Sequence, residues 1–148
     1  MTSIVGLANA NIGQAIVKPL IESGDILRLS SEVVQPFYRE RSLRALGWVK
    51  EFFEDRLPYR VHRSEGAFFL WLWFEDLPIT SRELYERLKS RGVLVVPGNY
   101  FFFGVDDQEW RHRDECLRVS FTMSDEVVRE GFRVIADEVS KAYQGAGA

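Results

Sequence analysis

The sequence predicts an α/β protein of the two-layer α+β kind, a small mixed or antiparallel sheet packed against helices, and three observations predict it. Hydrophobic residues recur at helical spacing in the first third of the chain and then switch to the closer spacing of strands. The second half reads strand, strand, helix, strand, long loop, strand, helix. A long amphipathic helix precedes that series and supplies a further helical face for the sheet.

The elements follow in order. From Ala8 to Glu22, the residues Ile12, Ala15, Ile16, Pro19 and Leu20 lie at near-helical spacing, with Pro19 disturbing the last turn and Gly24 suited to a left-handed terminus. A second stretch starts near Asp25 with Ile26, Leu29 and Val33, and a helix restarts with Pro36 in its first turn. There Phe37, Arg41, Ala45, Val49 and Phe52 define one buried stripe down to Phe53, and Leu57-Pro58 ends it. Tyr59 to Arg63 predicts a short strand, Ser64-Glu65-Gly66 a turn, and Ala67 to Phe74 a strand so apolar that both its faces are expected to be covered. Thr80-Ser81-Arg82-Glu83 is a capping box opening a helix that carries Leu84 and Leu88 and closes at Gly92. Val93 to Val96 predicts a buried strand, 97–115 a long irregular loop, and Cys116 to Thr122 a strand. Ser124 to Tyr143 predicts a helix with Val128, Phe132, Ile135 and Val139 as its stripe, before a frayed tail from Gln144.

A chain of 148 residues that is 46% apolar buries an adequate core without staples. Its net charge of −3, from 19 basic and 22 acidic residues mixed along the chain, lacks the basic excess of a nucleic-acid binder. Cys116 is the single cysteine, and neither His62 nor His112 has a partner at zinc spacing, so no metal site is expected. The first residues lack the basic start of a signal peptide, and no window is long and apolar enough for a membrane span, so the expected compartment is the reducing cytoplasm.

Two places bear on function. In Leu117-Arg118-Val119-Ser120-Phe121, alternation turns Leu117, Val119 and Phe121 toward the core and puts Arg118 and Ser120 on the opposite face, in line with Cys116. A guanidinium there matches a carboxylate with two parallel hydrogen bonds. An arginine that merely meets water or a neighbouring acid is the commoner case, so the strand alone leaves both readings open. The loop Pro97-Gly98-Asn99-Tyr100-Phe101-Phe102-Phe103-Gly104 sets four aromatics in a row. It either folds back on its own core or forms a wall or lid for an apolar ligand. Arg111-His112-Arg113, flanked by Glu109, Asp114 and Glu115, reads as a solvated turn.

Three ordered blocks resemble the C-terminal small domain of the class I/II pyridoxal-phosphate-dependent aminotransferases, with their aspartate-aminotransferase-like fold. They are Glu65 to Leu72, Gly92 to Gly98 with Phe101 to Phe103, and Leu117 to Phe121. The tryptophan-rich stretch from Gly66 to Leu88 is similar to the valine–pyruvate transaminase group of that family. The resemblance implies that Arg118 binds the α-carboxylate of the substrate, and that Pro97, Gly98 and Phe101 border the mouth of the active site. It implies pyridoxal phosphate as the cofactor of the complete enzyme, with amino acid and 2-oxo acid as substrates, and a homodimer. It also implies that residues 1–24 form the terminal helix of the large cofactor domain and that 25–148 form the small domain.

The family's Schiff-base lysine stands in a Ser-Lys context before a Gly-x-Arg segment, and none of Lys18, Lys50, Lys89 and Lys141 does. The aspartate facing the pyridine nitrogen and the tyrosine supporting the ring are missing as well. No catalytic and no cofactor-binding residue is therefore expected in this chain, which alone is expected to be inactive. The alternative is a non-enzymatic ligand-binding or interaction domain derived from the same scaffold.

Overall fold

The computed structural model describes residues 11–105 and 110–146. The expected helix residues 8–10 and the last two residues of the expected tail lie outside them. The chain forms two compact units that meet between Phe37 and Tyr38.

In the first unit, α1 (Asn11–Glu22) is a continuous helix that retains Pro19 inside it. It ends where Gly24 adopts φ 76°, a conformation that costs a residue without Cβ nothing. Helix α2 (Asp25–Leu29) follows, closed by the Arg28–Asp25 pair at 3.0 Å, and a π-helical turn (Ser30–Val34) leads on. The apolar stripe of α1, with Ile12, Ile16 and Ile21, is exposed.

Helix α3 (Gln35–Phe53) starts with Pro36 in its first turn and enters the second unit. Its buried stripe there is Ala45, Val49 and Phe53, whereas Phe52 is only half-buried. Arg41, on the same side, donates to three backbone carbonyls rather than joining an apolar core.

Strands β1 (Tyr59–Val61), β2 (Phe69–Phe74), β3 (Val96–Pro97) and β4 (Cys116–Ser120) form one antiparallel sheet in the order β1-β2-β4-β3. Helices α4 (Ser81–Ser90) and α5 (Asp125–Ala146) join α3 in the core. The sheet's inner face contributes Leu70, Leu72, Phe74, Leu117 and Val119, packed with Leu84, Leu88, Phe132, Ile135 and Val139 of the helices. This is the two-layer α+β arrangement that the alternation of spacings predicts.

Three details differ from expectation. Strand β2 is not buried on both faces: Leu70, Leu72 and Phe74 are fully buried while Trp71 and Trp73 are half-buried and Phe69 exposed. Aromatic rings and indoles cover apolar surface from the outer face, so a run without polar residues still serves a one-sided sheet. The strand expected at Val93 to Val96 pairs only at Val96 and Pro97, and Leu94 is 73% exposed. It is an edge strand, where Pro97 forfeits no ladder donor. The tail expected to fray from Gln144 continues α5 to Ala146, and Tyr143 ties that end down by donating to the Glu75 carbonyl at 2.6 Å.

The capping box is half realised. Thr80 accepts from the Glu83 backbone N–H at 3.1 Å, while the Glu83 carboxylate pairs with Arg87 one turn on at 2.6 Å. Gly92 closes the helix with φ 79°.

Candidate functional site: the outer face of the sheet

Register decides which side chains share the outer face. Leu70 faces Val119 and Leu72 faces Leu117 on the inner side, so Phe69 faces Ser120, Trp71 faces Arg118 and Trp73 faces Cys116 on the outer side. A slip of one residue would exchange the two sets, and burial of the leucines forbids it. On the other flank of β4, Val96 stands opposite Arg118 and Pro97 opposite Leu117. Arg118 therefore lies in the middle of the sheet between Trp71 and Val96.

Pro97 and Gly98 deliver the aromatic segment to that row. A Cβ added at Gly98 would lie 2.5 Å from the Cys116 Cβ and 2.8 Å from the Cys116 carbonyl oxygen. Only a residue without a side chain lets the two backbones approach so closely. The chain then makes a 3-10 turn over Gly98–Phe101. Phe101 emerges beside Arg118, with the guanidinium carbon 4.8 Å from its ring centre and 4.3 Å from that of Phe69.

The segment is thus neither wholly folded back nor wholly a lid. Phe102 turns inward against Trp71 at 5.9 Å and Trp110 at 5.0 Å, whereas Phe103 is 87% exposed.

Arg118 is half-buried on the outer face of the sheet. Other arginines have oxygen partners: Arg91 pairs with Glu138 at 2.8 Å, and Arg113 donates to the Val105 carbonyl at 3.0 Å. The Nε of Arg118 is sealed from solvent without a hydrogen-bond partner, as are those of Arg41 and Arg44, but Arg41 and Arg44 have oxygen partners for their guanidinium groups and Arg118 has none among the described residues. Two aromatic faces hold its charge by cation–π attraction, worth about 0.5–2 kcal/mol each depending on desolvation. No carboxylate of the described residues neutralises it. Asn99 carries a second sealed and unmatched polar atom, Oδ1, in the turn that bears Phe101.

The Arg111–Asp114 segment is not a solvated turn. Arg111 pairs with Glu115 at 3.1 Å and donates to the Leu77 carbonyl at 3.0 Å. Glu115, 5% exposed, accepts from the Trp73 indole at 2.8 Å, and the His112 ring meets Trp73 at 4.7 Å. The preceding aromatic residues bring this charged triplet down onto the sheet, which local composition did not disclose. Cys116 lies beneath it, donating to the His112 carbonyl at 3.3 Å, and burial pushes its thiol up to about 12. Sequence reasoning passed over Phe69 and Trp71 beside Arg118, because the uniformly apolar β2 gives no sign of which of its residues face outward.

Each lysine sits on a helix beside a carboxylate three or four residues away: Lys18 with Glu22, Lys50 with Glu54, Lys89 with Glu86 and Lys141 with Glu138. None belongs to the sheet face that carries Arg118. Among the described residues no group of His, Cys, Asp and Glu is arranged for a metal ion, and no helix is long and apolar enough to cross a membrane.

The chain is 41% identical over 143 residues to valine–pyruvate aminotransferase of Escherichia coli K12, covering 97% of this chain and 34% of that protein. The crystal structure of valine–pyruvate aminotransferase from Salmonella typhimurium LT2 matches 97% of this chain and 37% of that one, with a TM-score of 0.87 and 40% identity. Kynurenine aminotransferase of Pyrococcus horikoshii, solved in complex with PMP, matches 87% of this chain and 30% of that one, with a TM-score of 0.70 and 26% identity. No protein-family model matches the chain. The chain spans about a third of the length of these relatives. In sequence and in fold, the chain resembles a C-terminal part of the pyridoxal-phosphate aminotransferases similar to valine–pyruvate aminotransferase.

Proposed function

We propose that this chain is the substrate-gripping part of an aminotransferase that moves an amino group between L-valine, or a similar small or branched amino acid, and pyruvate. The observation that carries the reading is Arg118. It is a guanidinium on the open face of the sheet, held by Phe69 and Phe101 and matched by no carboxylate among the described residues. A substrate α-carboxylate would supply the missing partner, with two parallel hydrogen bonds to the planar fork. Pro97 and Gly98 would border the same mouth by setting where Phe101 emerges.

Pyridoxal phosphate, the family's cofactor, supplies the electron sink when bound. By this reading its lysine lies outside this chain, since all four lysines here are spent on helix surfaces. The chain by itself would then be inactive. Residues 1–24 would belong to the large cofactor domain and 25–148 to the small one, and the exposed apolar stripe of α1 would then be covered by the rest of the large domain. The complete protein would act as a homodimer in the cytoplasm.

Two measurements test this. Pyridoxal phosphate added to the chain should give no internal aldimine absorbance; a band abolished by borohydride would overturn the assignment of the lysine elsewhere. In a chimera that joins the chain to the cofactor domain of the Escherichia coli relative, Arg118→Lys should raise KM for valine. It should lower kcat/KM by about ten-fold or more, because a point charge replaces a charged two-point hydrogen bond. Unchanged kinetics would remove Arg118 from its role.

A further inference from the structure

We propose that Trp71 is a positioning residue for Arg118, acting through Phe101 to hold the guanidinium so that only its terminal nitrogens are offered to a carboxylate. The inference rests on the reading of Arg118 as a carboxylate anchor and adds what aims it.

Three observations carry it. Trp71 is the direct cross-strand neighbour of Arg118 on the outer face. Its ring meets Phe101 edge-on, with centroids 5.3 Å apart and planes at 84°. Phe101 in turn lies 4.8 Å from the guanidinium carbon of Arg118. Trp71 is therefore the backstop of one of the two rings that hold the charge.

The arrangement has a directional consequence. Arg118 Nε is sealed and cannot reach an incoming ligand, so a side-on approach through Nε is closed. An end-on approach to the two Nη atoms remains, and it requires the guanidinium plane to be held still. Edge-to-face aromatic contacts hold such a plane because the positive ring edge of one partner meets the negative face of the other. Trp71 is itself held from behind by a second ring, Phe102, with centroids 5.9 Å apart and planes at 74°. Replacing the indole with a smaller side chain would free Phe101, which is 37% exposed and has room to swing away.

The test uses the whole chain labelled with 15N-arginine. The Nε–H signal of Arg118 is assigned by its loss in Arg118→Lys, and 2-oxoisovalerate is titrated as the probe. The unaltered chain should show the Nε proton shifted upfield by ring currents and slow to exchange with water, and 2-oxoisovalerate should perturb it saturably. Trp71→Leu should reduce the upfield shift by the share that Phe101 contributes, leaving that of Phe69, and weaken the probe roughly five-fold, the scale of one cation–π contact. Trp71→Phe, which restores a ring edge, should recover most of both. Phe101→Leu, a change at a partly exposed site, should reproduce the Trp71→Leu result and guards against a folding defect in the latter.

A Trp71→Leu chain with unchanged Nε–H shift and unchanged affinity overturns the positioning role while leaving the anchor reading intact. Binding that survives Arg118→Lys undiminished overturns the anchor reading itself, and this role with it.

Discussion

Arg41 donates to the carbonyl oxygen of Met123 at 2.6 Å, and the same nitrogen reaches the carbonyls of Thr122 and Phe121 at 3.3 and 3.4 Å. One guanidinium on α3 thereby gathers the carbonyls that follow β4, the strand that bears Arg118. A charged donor there is worth more than a neutral one because the carbonyls have left the sheet and lack ladder partners.

Arg41→Met keeps the stem but removes the donor. It should destabilise the second unit by about 1–2 kcal/mol, the range for hydrogen bonds from a charged group discounted for partial exposure. Urea unfolding should show a lower midpoint with an unchanged slope.

Two glycines separate close packing from mere flexibility. Gly98→Ala places a methyl 2.5 Å from the Cys116 Cβ and against its backbone, and should cost about 2 kcal/mol or more as the 3-10 turn shifts. Gly47, exposed on α3, has nothing within 4 Å of its added Cβ. Gly47→Ala should stabilise by about 0.5–1 kcal/mol through helix propensity alone. Thermal melts of the two variants should move in opposite directions.

Alkaline pH should destabilise the chain through one buried acid, Cys116, and one half-buried one, Tyr143. Burial raises the Cys116 thiol to about 12, and burial likewise raises the Tyr143 phenol to about 12. Both folded values exceed the unfolded ones of about 8.5 and 10, so each contribution is complete below those unfolded values. It is lost as pH rises toward the folded value, because the unfolded chain then holds fewer protons. Stability should fall from about pH 9, by about 1.4 kcal/mol per pH unit for each group once its unfolded form has ionised. Equilibrium unfolding between pH 8 and 11 checks this, and Cys116→Ala should flatten the earlier part of the decline.

Glu115 ties the Trp73 indole to Arg111 beneath the charged segment. Glu115→Gln retains an acceptor for the indole but drops the charge facing Arg111. A loss of about 1 kcal/mol is expected, because Arg111 is itself largely exposed. The Trp73 fluorescence maximum should stay close to its original wavelength; a large red shift would show that the charge, and not the acceptor, seats the indole.

Much of this protein was legible in its sequence. Alternation across Leu117 to Phe121 placed Arg118 opposite the core, and helical spacing identified Ala45, Val49, Phe132, Ile135 and Val139 as buried. The caps Thr80, Gly24 and Gly92 were equally readable, since each answers to backbone geometry within a few residues. What local pattern does not contain is pairing between distant segments. The register of β2 on β4 made Trp71 the neighbour of Arg118, and the approach of Gly98 to Cys116 aimed Phe101 at the guanidinium. The same long-range packing drew Arg111 to Asp114 down onto Trp73 and reduced the expected strand at Val93 to Val96 to a two-residue edge. Periodicity reports which face of an element is apolar; which other element covers that face is decided only when the whole core closes, because burial is a property of the assembled layers.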